Sequence, residues 1–509
     1  MPTSTPPASA APPVDGLVVG GAQYPAGPPQ EWPAWAWAPF PSSGGSPAPP
    51  TPGGGTGDRR AAGIVAAVAT VAVLLVVGVV ALASRGDDGS DVAAVDSPTS
   101  TTTSSTGVAS TAPGPPTTAA GPAPEQADPP TPELPQIPEL PGIPGADPDA
   151  LARPLGEVLP EIVEFVETTR GHRFESVPEV EALPDAEFEA RLRDAQEADE
   201  IESLRTEQVA DQALGLIPPG TDLVELAGEA SAAGVLGFYI PESGDLLVRG
   251  DVITPYVQTV IAHELTHALD DQTFDLGRVD GLVTQPDESA FGFISLIEGT
   301  ARWVETAYRD QLSTEEQAAV ETEELLLGIE QAPSLADIPL PFIIEQQIPY
   351  GAGERLVAAL LADGGLPALD AGFQTPPTTS EQVLDPAVFA TAEPSVAVPV
   401  PAADGDVVDQ GAFGAVDVRL LEVAADPLGA LDATTGAVDP VDGFGGGSYV
   451  TWRDGARACI RVAMVGDDAA GSPAIDDALA VWSQALPGAE LTTGAGPGGR
   501  EQTTILRCA

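Results

Sequence analysis

Three histidines occur in the 509-residue chain, and two of them, His263 and His267, flank a glutamate, Glu264, in the run IAHELTHALDDQ. A helix turns once in about 3.6 residues, so side chains four apart share a face, and two imidazoles so placed can hold one zinc ion. Glu264 lies on the adjacent flank. There a carboxylate can take a proton from a water whose pKa zinc lowers from about 16 to about 7. The bland reading is a buried helix whose histidines merely satisfy backbone carbonyls. In a chain so poor in histidine, the HExxH pattern outweighs it.

A catalytic zinc site needs a third protein ligand and a fourth position open to water. His172, in TRGHRFE, is the remaining histidine, but it lies upstream with no zinc-ligand spacing. Asp271 shares the face of His267 yet sits about 5.4 Å further along the axis, which suits orienting a histidine from behind better than ligation. Glu298 lies in AFGFISLIEGTARWVETAYRDQ, a segment with the periodicity of a long helix. A glutamate amid ISLIEG is costly to bury unless a metal or partner compensates, so Glu298 is the expected third ligand. The plainer reading makes it one more exposed acid on an acidic chain. Tyr350, in IPYGAG, is a candidate donor to an oxyanion, set against a buried tyrosine with a purely structural role.

The elements around these residues follow from periodicity and turn residues. Helices are expected over LGEVLPEIVEFVETTR and from Asp185 to Glu200, with a strand around FESVPEVEAL between them. GVLGFYIPESGDLLVRG reads as a hairpin about PESGD, just before the HExxH helix. A strand there could offer its free edge to an extended peptide, or be an ordinary structural hairpin. PYGAGERLVAALLADGGLPALDAGFQ reads as a helix and turn, and PPTTSEQVLDP as a loop into a short helix. The end of the chain reads as a helix near Phe413 to Ala424, a hairpin GGGSYVTWRDGARACIRVAMV, a helix DDALAVWSQAL and a terminal strand TTILRCA. That order predicts a small sheet with one helix on it. Cys459 and Cys508 are the two cysteines, and a disulfide closing this region is expected.

Composition divides the chain further. Residues 1–60 are rich in Pro, Gly, Ala and Ser and are expected to be a disordered tail, in which Trp32, Trp35, Trp37 and Phe40 form an aromatic cluster. Residues 61–83 carry no charged side chain and would span a bilayer as a single helix. Arg59 and Arg60 before it place the tail in the cytoplasm and the rest of the chain outside. Residues 84–150, with SPTSTTTSSTG and PELPQIPELPGIPG, read as an extended linker. Two further regions follow, 151–400 with the candidate site and 401–509 around the cysteines. The formal net charge of −56, with every basic residue an arginine, argues against nucleic acid as a partner.

With these pieces set out, the runs LIPPGTDLVEL, GVLGFYIPESGDLLVRG, HELTHALDDQTFDL, LIEGTARW, IPYGAGERLV, PPTTSEQVLDP and FGGGSYVTW together resemble a family of bacterial HExxH zinc metallopeptidases of the gluzincin, thermolysin-like type. The resemblance covers residues 155 to 485. It implies an α+β, zincin-like fold with one Zn2+ per chain on His263, His267 and Glu298, Glu264 as general base, and a polypeptide as substrate. The chain departs from the family pattern at Asp270, where glutamine is usual, at Thr300, where an acid is usual, and at Asp385, where histidine is usual. These positions bear on groups behind the ligands rather than on the ligands. Two other functions fit the same residues: a non-catalytic binding module that keeps the fold, and a hydrolase of another amide such as a cell-wall peptide.

Overall fold

The computed structural model describes residues 68–71, 147–195, 198–241, 243–427, 429–430, 438–469 and 471–509. In chain order its main elements are β1 (Val68–Val71), α1 (Leu155–Arg170), β2 (Glu179–Leu183), α2 (Asp185–Ala195), α3 (Ala198–Leu214), α4 (Leu223–Gly234), β3 (Val235–Ile240) and β4 (Asp245–Arg249). Next come α5 (Pro255–Phe274), α6 (Val279–Val283), α7 (Ser289–Gln311), α8 (Thr314–Leu335), α9 (Leu340–Gly364), α10 (Leu366–Gln374), α11 (Ser380–Leu384) and α12 (Pro386–Thr391). The chain closes with β5 (Val407–Ala412), α13 (Ala415–Ala425), β6 (Phe444–Asp454), β7 (Arg457–Gly466), α14 (Pro473–Ala485), β8 (Glu490–Ala495) and β9 (Glu501–Cys508). Helices and strands are both present and largely segregated, an α+β arrangement.

The first sheet runs β1-β3-β4-β2, with β3 and β4 an antiparallel hairpin and β2 parallel to β4. A hydrophobic cluster ties it to the HExxH helix α5: Leu246 and Val248 of β4 meet Val260, Ile261 and Leu265 of α5, with Val158, Ile162 and Val166 of α1 closing the other side. Helix α5 therefore has no solvent face through its first four turns, and an all-buried helix carries polar groups only where they have work inside.

The second sheet is antiparallel in the order β5-β6-β7-β9-β8. It has five strands where a smaller sheet was expected, because β5 and β8 add edges too short and too polar to read as strands. Cys459 and Cys508 stand opposite each other in the β7–β9 register and form the expected disulfide. Helix α3 lies on this sheet. The Trp482 indole donates to the Leu214 carbonyl at 2.8 Å, and the Arg507 guanidinium donates to the carbonyls of Gln212 and Ala213, satisfying the open end of α3. One hydrophobic cluster then runs from Leu214 through Phe293 and Leu356 to Leu420, Val462 and Trp482, so the sheet and the helices of the site share a core.

One expectation is corrected. The helix predicted from Asp185 to Glu200 is two, α2 ending at Ala195 and α3 beginning at Ala198. Of the expected membrane span 61–83, residues 68–71 are described, as strand β1 antiparallel to β3. Valine and threonine favour extended backbone, and the edge of β3 supplies the hydrogen bonds that an apolar segment must otherwise find within itself. The rest of that span, the tail 1–60 and the linker up to residue 146 lie outside the described residues. Among the described residues, no helix is long and apolar enough to cross a membrane.

Candidate metal centre

Helix α5 starts cleanly: Thr254 is its N-cap, accepting from the Val257 amide at 3.2 Å, and Pro255 occupies the first turn, where its missing N–H costs nothing. Two turns on, His263, Glu264 and His267 are buried, at 0, 0 and 1 % exposure. Strand β3 lies directly on this stretch because Gly237 has no side chain. A Cβ there would fall 2.8 Å from Val260 and 3.1 Å from Glu264.

Helix α7 brings the third group. His263 Nε2 is 3.5 Å and His267 Nε2 3.8 Å from Glu298 Oε2, and Glu298 is itself 1 % exposed. These three atoms make no hydrogen bond, although all are buried. Ligand atoms held about 2.0–2.2 Å from a tetrahedral zinc stand about 3.4 Å apart, so the two distances to Glu298 are close to those of such a site, and the donor set is one that zinc takes. Three unsatisfied buried atoms turned to one point are a cost that a bound cation removes.

The residues behind the trio are equally ordered. His263 Nδ1 is 3.0 Å from Glu305 Oε2, and Glu305 is held in turn by Arg302 at 3.1 Å. A carboxylate on the far nitrogen fixes the imidazole tautomer that turns its lone pair to the metal. Burial alone would raise the Glu305 pKa, but Arg302 and His263 outweigh it and hold the carboxyl at about 2. Burial likewise pulls His263 down, yet Glu298 and Glu305 outweigh it and set His263 at about 9 without metal. His267, buried and beside His263, is pushed well below the ordinary histidine range. Burial raises Glu298. Metal uptake must therefore displace a proton that His263 otherwise keeps.

The remaining predicted residues fall into place unevenly. Tyr350 of α9 stacks on His263, ring centroids 6.5 Å apart at 27°, and its hydroxyl interacts with Glu298; burial raises its pKa, so it stays a donor. Asp271 has other partners: it accepts from the Tyr239 hydroxyl at 3.0 Å and from the Leu276 amide at 2.9 Å, tying the end of α5 to β3 and the following turn. The role foreseen for it behind a histidine belongs in the structure to Glu305. His172 is 3.1 Å from both oxygens of Asp370 and is not part of the trio. Of the departing positions, Asp270 is buried against Arg170 at 2.7 Å, Asp385 caps α12 by accepting from the Ala387 amide, and Thr300 is buried in α7.

Glu305 was missed, though a signal existed. It follows Glu298 by seven residues, two turns of α7, and so lies on the same face of a helix already expected to face the histidines. No known protein family, curated protein or solved structure matches the chain. The functional reading stands on the geometry of these side chains.

Proposed function

We propose that this chain is a zinc-dependent hydrolase of peptide bonds, a metallopeptidase of the gluzincin type with a zincin-like site. The observation that supports it most is the convergence of His263 Nε2, His267 Nε2 and Glu298 Oε2, none hydrogen-bonded, at zinc-ligand spacing, with Glu264 in the same helical turn. Zinc held there would acidify a water and polarise the scissile carbonyl. Glu264 takes a proton from the attacking water and returns it to the leaving nitrogen, so one carboxylate serves as base and then acid. Glu305 keeps His263 in its ligating tautomer, and the buried walls around the four residues exclude bulk water and strengthen each electrostatic contact. The Cys459–Cys508 disulfide supports an oxidising location, in keeping with the extracellular side expected from Arg59 and Arg60.

A binding module that retains zinc only as structure is the second reading, favoured by the complete burial of the trio. Glu264 separates the two, because a structural site has no use for a base. Purified chain should carry one zinc and cleave an unfolded protein or a peptide library. Glu264→Gln should keep the zinc and lose about 10²–10⁴-fold in activity. Equal activity of parent and variant removes the mechanism, and zinc without activity in the parent selects the binding module.

A further inference from the structure

Two helices approach more closely beside the trio than side chains would permit. A Cβ on Gly299 of α7 would lie 2.2 Å from the Gly353 carbonyl carbon of α9, and one on Gly353 would lie 1.9 Å from the Ser295 carbonyl oxygen. Both distances are too short for any Cβ, so glycine at both positions lets the two backbones touch. Gly299 directly follows Glu298, and Gly353 stands three residues, nearly one turn, after Tyr350. Pro349, just before Tyr350, has no N–H to give to the preceding turn, which loosens α9 at the point where Tyr350 leaves it. The contact thus sets how far the Tyr350 ring and hydroxyl reach across α7.

What they reach is specific. The ring lies along His263 and the hydroxyl interacts with Glu298, so one side chain meets two of the three candidate ligands. We infer that Tyr350 is a positioning residue for the metal site: its hydroxyl restrains the Glu298 carboxylate and its ring steadies His263 by stacking. The inference rests on reading His263, His267 and Glu298 as ligands. Its consequence is a coordination number. A carboxylate restrained by a neighbouring hydroxyl keeps one oxygen toward the metal, whereas a freed carboxylate can rotate and bind through both, filling the position that a water needs. A hydroxyl engaged with Glu298 also differs from the free oxyanion donor that the sequence suggested.

The test uses the whole chain, loaded with zinc for affinity and with cobalt(II) for its visible spectrum, which is more intense in four-coordinate than in five-coordinate sites. Tyr350→Phe keeps the ring and removes the hydroxyl. It should bind zinc about 10 to 100-fold more weakly in competition with a chelator and show a weakened cobalt spectrum, with the far-ultraviolet circular dichroism of the metal-free chain unchanged. Tyr350→Leu, which also removes the stack, should lose more. Unchanged zinc affinity and cobalt spectrum in Tyr350→Phe overturn the inference, as does a loss confined to the stability of the metal-free chain. A parent chain that takes up neither metal refutes the ligand assignment itself, a result distinct from either.

Discussion

Two trios of buried potential ligands are built by different pairs of helices, and they differ in kind. His263, His267 and Glu298 join α5 to α7; Glu207, Asp211 and Glu345 join α3 to α9, five residues before Tyr350. In each, the ligand atoms lie within 4.8 Å of one another. The first offers two nitrogens and one carboxylate, a set that suits zinc. The second is all carboxylate, and the cavity of about 30 Å³ beside it is lined by Glu207, Glu288, Glu345 and Asp417 with no basic side chain. Proximity alone makes neither a metal centre. The histidines, and the support of Glu305 and Tyr350 behind them, set the first trio apart.

The contrast can be broken most directly by neutralising one carboxylate in each trio. Glu298→Gln should lower zinc affinity by about 10³-fold or more and abolish stoichiometric binding, whereas Glu345→Gln should leave one zinc per chain. Metal content by elemental analysis checks both. Zinc lost from Glu345→Gln and kept in Glu298→Gln would exchange the roles of the two trios. A smaller effect should sharpen the same point: Glu305→Gln retains the ligands but not the charge on His263 Nδ1, and should weaken zinc about 10 to 100-fold in a chelator competition. No change there would mean that Glu305 serves Arg302 alone.

Much of this contrast was legible in the chain, for physical reasons. Two histidines four apart define a face whatever the tertiary structure, and a glutamate inside an apolar helical stripe announces a buried partner, so the candidate trio and the candidate base followed from spacing and desolvation cost. The hairpin before α5 and the helices α1, α7 and α13 were legible from periodicity. The seven-residue spacing from Glu298 gives Glu305 its face, but which of 76 acids meets a histidine depends on how α5 and α7 cross. The Gly299–Gly353 contact is similarly silent: glycine in a helix reads as a weakness until another backbone is seen against it. Asp271 misled, since helical spacing gives its face but not the tyrosine of β3 that faces it. The edges β5 and β8 failed to show because edge strands need no alternating apolar face.

Within the helix that carries the histidines, a second contrast gives the finest test. Glu305 with Arg302 supports the metal-facing end, and Asp270 with Arg170 anchors the end beyond it; both are buried carboxylate–arginine pairs, yet their carboxyls shift oppositely, to about 2 and to about 6. For Asp270, burial is the larger influence, and it outweighs Arg170 and His172, with Asp370 nearby adding to the rise. The consequences for stability have opposite signs. A folded pKa below the unfolded value, as for Glu305, gives stability that is present above about pH 4.5 and is lost as pH falls toward 2. A folded pKa above the unfolded 3.8, as for Asp270, makes the folded chain hold its proton longer, so that contribution is fully present below about pH 4 and declines as pH rises through 6. Between pH 5 and 6 the Glu305 contribution is nearly complete, while that of Asp270 should fall by about 1 kcal/mol. Asp270→Asn cannot titrate, so in metal-free chain its stability relative to the parent should rise by about that amount over this interval, measured by urea unfolding at each pH. A difference that stays level from pH 5 to pH 6 would show that Arg170 keeps Asp270 ionised throughout, and that both ends of the helix hold their carboxylates in the same way.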